Sequence, residues 1–183
     1  MDEDDTWSHI GYWNDHQIIY LLKLLEGQWQ IDRSFILDSL NKKIFSTANV
    51  PYKIRNDEEI LKDPKNTIDF DHALHQKIMN DVKKIGTDAR LVLDQDQVVH
   101  VSMAEKLLVL QLSKLSNFIP DGGIWLNTQR PEWNDANNAL VGYGVSMVTL
   151  YYLNRHILFF NKVLLDVNMA EFEISIEVFD WFI

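Results

Sequence analysis

No cysteine occurs among the 183 residues. That single absence removes a disulfide framework, a thiolate metal site and a cysteine nucleophile, though it does not identify a compartment. Basic residues are scarce: 17 Lys and Arg stand against 27 Asp and Glu, for a formal net charge of −10 and a pI near 4.9. This balance disfavours nucleic acid, whose phosphates are held by clustered Lys and Arg. An anionic membrane surface is disfavoured on the same ground. No signal peptide is visible, since Met1 is followed by the acidic run Asp2-Glu3-Asp4-Asp5 rather than a basic n-region. A cytoplasmic location is favoured for that reason. The run from Val145 to Leu165 is the one membrane candidate, and Asn154-Arg155-His156 and Asn161-Lys162 interrupt it, so it reads as a buried helix. There is no serine nucleophile elbow. Gly142-Tyr143-Gly144 falls short of the six-residue dinucleotide pattern, so it reads as tight packing or a positive-φ turn rather than an anion site at a helix start.

What is present is apolar and mostly of helical period. The hydrophobic fraction is 46%, enough for one domain with a substantial core. Residues 16–26 are apolar nearly all round, with Asn14 or Asp15 as cap and Gly27 as stop. Asp32 caps a second helix over 33–43. Residues 46–68 read as a long connection with one helical turn near Asp57 to Leu61. An amphipathic helix follows over 69–85, ended by Gly86. Leu91-Val92-Leu93 and Val98-Val99-His100-Val101, joined by Asp94-Gln95-Asp96-Gln97, read as a small β-hairpin. Ser102-Met103-Ala104-Glu105 is a capping box that opens a helix to about Phe118. Another helix spans 145–161 or somewhat beyond. Residues 170–182 fit a helix, which is preferred, or a strand. The fold class expected is mainly α, with helical hairpins around a common core and one small β-hairpin. His72 and His75 lie three apart with Asp69 and Asp71 nearby. That spacing occurs at metal sites, but no complete ligand set accompanies it, and a solvated polar face is the preferred reading. No metal and no cofactor is called for.

The stretch from Gly122 to Gly144 stands apart. It is long for a connection, and it carries Trp125, Trp133 and Tyr143, which call for burial or a ligand. Within it, Arg130-Pro131-Glu132-Trp133-Asn134-Asp135 and Asn137 bring together two carboxylates, a guanidinium, carboxamides and an indole. Glycosidic cleavage needs a protonated carboxyl for the departing oxygen and a water, carboxylate or phosphate on the opposite face. Indoles stack on sugar rings, carboxamides read hydroxyls, and Arg holds carboxylate or phosphate in its planar fork. The same residue types also serve a buried loop in which Asn and Asp cap turns and Trp fills the core. Trp13-Asn14-Asp15 repeats the Trp-Asn-Asp triplet ahead of the first helix. Asp15 there either caps that helix or touches a sugar hydroxyl.

Residues 122–153 resemble the active-site loop and following helix of the (α/α)6-toroid, or six-hairpin, glycosidases and carbohydrate phosphorylases. The likeness is nearest to the inverting disaccharide phosphorylases, whose loop carries Asp-Trp-Asn-Asp-Gly. The resemblance implies Asp135 as general acid and Trp133 as sugar-lining residue. Glu132 takes the place of the first Asp, and Ala136 the place of the Gly. Gly11 to His16 resembles a substrate-binding segment of the same family, which would bring Trp13 and Asp15 to the sugar. An oligosaccharide or disaccharide substrate is implied. A complete toroid needs about twelve helices of about 11–12 residues. The chain has room for about half, so a single helical domain forming part of a larger toroid is expected, completed by the remainder of a longer chain or by homo-oligomer formation. A non-catalytic sugar-binding or structural helical piece is the alternative.

Overall fold

The computed structural model describes residues 17–64, 66, 68–126, 140, 142–167 and 171–183. In chain order they form a π-helical turn at Gln17–Leu21, α1 (Leu22–Ile31), α2 (Arg33–Ser39), β1 (Phe45–Ser46), β2 (Tyr52–Ile54), α3 (Asp57–Lys62), β3 (Ile68–Phe70), α4 (His72–Ile85), a 3₁₀ turn at Thr87–Arg90, β4 (Leu93–Asp94), β5 (Gln97–Val98), β6 (His100–Val101), α5 (Met103–Leu115), β7 (Phe118–Ile119), β8 (Gly123–Trp125), β9 (Val145–Ser146), α6 (Met147–Asp166) and α7 (Ile176–Phe182). Of the described residues, 59% are helical and 16% extended, in seven α-helices and four small sheets. The expectation of a mainly α chain of helical hairpins with one β-hairpin is thereby corrected: the chain is mixed α/β. Every strand is only two or three residues long. Such strands are too short to show the alternation by which a strand is read from sequence. They form where turns bring backbone to backbone, as in the stretch taken for a long connection.

The chain divides into two compact units, one of residues 14–45, 101–125 and 144–183 and the other of residues 1–13, 46–100 and 126–143. The first is the more helical, and α5 is its centre. Leu107 and Ala104 pack with Leu25, Trp29, Ile36, Leu40, Phe160 and Val163. Leu110 packs with Ile18, Ile19, Ile124 and Leu153, and Leu108 and Leu112 with Val178. A helix that feeds three clusters must be apolar on most sides, which is how this segment reads. The first helix does not stop at Gly27, where an added Cβ would meet nothing within 4 Å. It continues to Ile31, and Asp32 then caps α2 by accepting from Ser34 N at 2.9 Å.

Ser102 caps α5 as expected, accepting from Glu105 N at 3.1 Å. The reciprocal half of the capping box is absent. The Glu105 carboxylate instead accepts from Ser175 N (3.0 Å) and Ser175 Oγ (2.7 Å), and so serves the residue that precedes α7. The terminal segment is thus helical over 176–182, not a strand. β8 lies between β7 and β9 in an antiparallel sheet, with Ile124 opposite both Phe118 and Ser146. Ser146 then caps α6, accepting from Thr149 N at 3.1 Å.

In the second unit β2 pairs antiparallel with β3, Lys53 opposite Asp69. Arg55 closes the end of that ladder on Asp69, at 2.6 and 2.8 Å. Asn56 caps α3 and Asp71 caps α4, each accepting from the backbone N–H three residues on. Gly86 ends α4 at φ +86°. The expected hairpin is present as β4 and β5, with Leu93 opposite Val98. Its two-residue turn has positive φ at both Gln95 and Asp96, the geometry that suits the twist of paired strands. Tyr52, Ile60, Ile78 and Ala89 are its buried apolar residues. His72 and His75 both lie against the Phe70 ring, at 4.8 and 5.4 Å between centroids. No helix among the described residues is long and apolar enough to cross a membrane.

Candidate functional site

Arg130, Glu132, Trp133, Asn134, Asp135 and Asn137, and likewise Trp13 and Asp15 with the cap candidate Asn14, lie outside the described residues. The positions where their loop departs and returns are described. Leu126 O accepts from Gly142 N at 2.6 Å, so the chain comes back to the point it left. Gly142 has φ +75°, and a Cβ there would fall 2.1 Å from Pro64 Cβ and 2.8 Å from Pro64 Cα. Only glycine meets both conditions, which assigns Gly142 to packing and turn formation. The residues flanking this closure are also paired, Trp125 with Val145 across β8 and β9. The described backbone on either side of residues 127–141 is therefore held together at two successive pairings.

The more helical unit holds an open cleft of about 440 Å³ that the sequence did not announce. One wall is Glu26, Trp29, Gln30 and Arg33 on α1 and the start of α2, at helical spacing i, i+3, i+4, i+7. The other is Arg155, Leu158, Phe159 and Lys162 on α6, again along one helix face. Arg155 grips Glu26 through both Nε and Nη2, at 2.7 and 2.6 Å. That fork raises the Arg155 pKa further above its usual value. Arg33 lies over the Trp29 ring at 5.0 Å and is 3.9 Å from Asp166. Phe159 meets Trp29 edge-on at 6.2 Å. The Trp29 indole Nε1 is buried with no acceptor, a state that costs about 1–3 kcal/mol.

Beneath the surface of the same unit lies a polar pair. His156 is fully buried, and the Gln111 amide nitrogen lies 2.9 Å from its Nδ1. An amide N–H₂ can only donate, which leaves the ring proton on Nε2, a buried donor without an acceptor. Burial holds His156 neutral, with its pKa pushed down to about 4. This histidine is positioned for core polarity, not for acid–base exchange with solvent.

The signals that could have located the cleft are the interruptions of the apolar helices. Arg155 and Lys162 were legible only as breaks in a hydrophobic run, and their spacing of seven places them on one face. The pairing of that face with Glu26 and Trp29 depends on residues 129 positions apart in the case of Arg155 and Glu26. Among the described residues no group of three or more His, Asp or Glu is placed to hold a metal ion. The chain matches no family model, and no curated protein matches it.

Proposed function

We propose that the chain is a carbohydrate-active protein in which the 127–141 loop presents Asp135 as the general acid for cleavage of a glycosidic bond. The observation that carries this reading is the gathering of Arg130, Glu132, Trp133, Asn134 and Asp135 within six consecutive residues, in a loop whose ends are tied at Leu126 and Gly142. Trp133 supplies a stacking surface, Asn134 and Asn137 read hydroxyls, Arg130 holds an anionic group, and Trp13 and Asp15 add a further sugar contact. Glu132 is the second carboxyl of the set. The protonated Asp135 gives its proton to the departing oxygen, while water or phosphate attacks the anomeric carbon from the other face. The resemblance to the inverting disaccharide phosphorylases supports the assignment of the acid. The toroid scaffold does not.

Turnover of an oligosaccharide panel, with and without inorganic phosphate, tests the proposal in the longest natural form of the chain. Asp135→Asn is expected to lower the rate at least 100-fold, on the order of the contribution of a positioned acid. Cleavage at the wild-type rate in that variant would sink the reading, and dependence on phosphate separates phosphorolysis from hydrolysis. A second reading, sugar binding without turnover, is favoured by the mixed α/β architecture, which departs from the helical-hairpin scaffold that the cleavage chemistry uses in the resembling family. Calorimetry with the same panel distinguishes it: heat of binding with no product formed supports this second reading and excludes the first.

A further inference from the structure

We propose that the cleft between α1–α2 and α6 binds a compound that carries a carboxylate or phosphate on a flat apolar ring. Three of the chain's 17 basic residues, Arg33, Arg155 and Lys162, line this one cleft against a single lining carboxylate, Glu26. In a chain of net charge −10 that is a local inversion of sign. Arg155 is committed to Glu26 by its fork, so the two charges cancel. Lys162 has no ion-pair partner among the described residues, and Arg33 has only the distant Asp166. Arg33 is held by Asp166 and by the Trp29 ring, so the positive charge left without a partner among the described residues sits at Lys162.

The floor between these cations is apolar. Leu158 lies three residues after Arg155 and four before Lys162, and it is exposed. Phe159 stands beside it and is half-buried. The positions of Arg155 and Lys162 are about 10 Å apart along the helix, from seven residues at 1.5 Å each. A flat ring fits across that step on Leu158 and Phe159, with its anionic group toward Lys162. Trp29, whose indole N–H is buried without an acceptor, belongs to the opposite wall. The cleft volume, about 440 Å³, is in the range of small-molecule sites. Neither an apolar groove nor a surface ion pair combines these features: the apolar step, the available Lys162 and the opposing aromatic wall together suit an anionic, ring-bearing ligand.

Benzoate, phenyl phosphate, inorganic phosphate and benzyl alcohol are the probes, titrated into the full chain and followed by amide chemical shifts. Benzoate or phenyl phosphate is expected to bind at millimolar concentration and to move resonances along Leu158 to Lys162. Whichever of the two binds tighter separates carboxylate from phosphate recognition. Lys162→Gln is expected to weaken binding about fivefold, the scale of one exposed charge. Lys162→Arg should retain it. Lys162 is exposed, so the fold is preserved in both variants, and circular dichroism checks that. The proposal is overturned if no probe moves these resonances, if benzyl alcohol binds as tightly as benzoate, if inorganic phosphate matches phenyl phosphate, or if Lys162→Gln binds as the parent does. None of the residues assigned to the sugar reading lines this cleft, so the two proposals fail separately.

Discussion

At the scale of single residues, His156 carries the clearest pH consequence. Its folded pKa is about 4 against an ordinary 6.5, because burial penalises the charged ring. Between those values the unfolded chain binds a proton that the folded chain does not. Stability is therefore unaffected above about pH 6.5, falls as pH drops toward 4, and loses nothing further from this group below that. The full loss is about 3 kcal/mol, from the size of the shift. Denaturant midpoints measured at pH 7 and pH 4.5 should show it, and His156→Gln should show a smaller difference between the two pH values. Gly142 is the second decisive residue. Gly142→Ala drives a methyl group into Pro64 and forces an L side chain to positive φ. A loss of about 2–4 kcal/mol is expected from overpacking and backbone strain together, read as a lower denaturant midpoint. An unchanged midpoint would show that the 126–142 closure is not as tight as the geometry indicates.

At the scale of elements, the instructive case is the start of α5. The sequence pattern Ser102 to Glu105 predicts two reciprocal bonds at one helix start. Ser102 makes its half. Glu105 is buried at 7% exposure and turns to Ser175 instead. One motif thus caps one helix and ties down the approach to another. Ser102→Ala is expected to cost about 1 kcal/mol, the ordinary value of a helix cap. Glu105→Ala should cost more, about 2 kcal/mol, because it leaves two half-buried donors at Ser175 unpaired. Hydrogen exchange distinguishes the two: Glu105→Ala should release the amides of 176–182, whereas Ser102→Ala should leave them protected. The capping residues of α2 and α5, the glycine stop of α4 and the existence of the β4–β5 hairpin were readable, because such signals act through neighbours in the chain; the caps Asn56 and Asp71 and the two-residue turn were not read. The β2–β3 pair was not readable. Its central partners, Lys53 and Asp69, are 16 positions apart, and nothing in Tyr52-Lys53-Ile54 announces Ile68-Asp69-Phe70.

At the scale of the whole molecule, the net charge is the property that bears on the partner class. A chain with 27 acidic and 17 basic residues repels a phosphate backbone at distances beyond any single contact. Mixed with duplex DNA at physiological salt, it should leave the DNA unshifted in a gel; retardation there would contradict the partner class drawn from composition. The cleft lined by Arg33, Arg155 and Lys162 is a small exception within that field, three basic residues against one lining carboxylate.

The sequence by itself determined the charge, the absence of thiol chemistry, the position of most helices, the caps Asp32 and Ser102, and the residue types gathered at 130–135. These are properties of composition or of neighbours a few positions apart, where propensity and side-chain-to-backbone hydrogen bonds decide. Only the tertiary structure decided that β2 pairs with β3, that Glu105 serves Ser175, that Gly142 closes on Leu126 against Pro64, and that Arg155 and Lys162 face Trp29 and Arg33. Each of those depends on segments far apart in the chain, brought together by burial of apolar surface that no local pattern encodes.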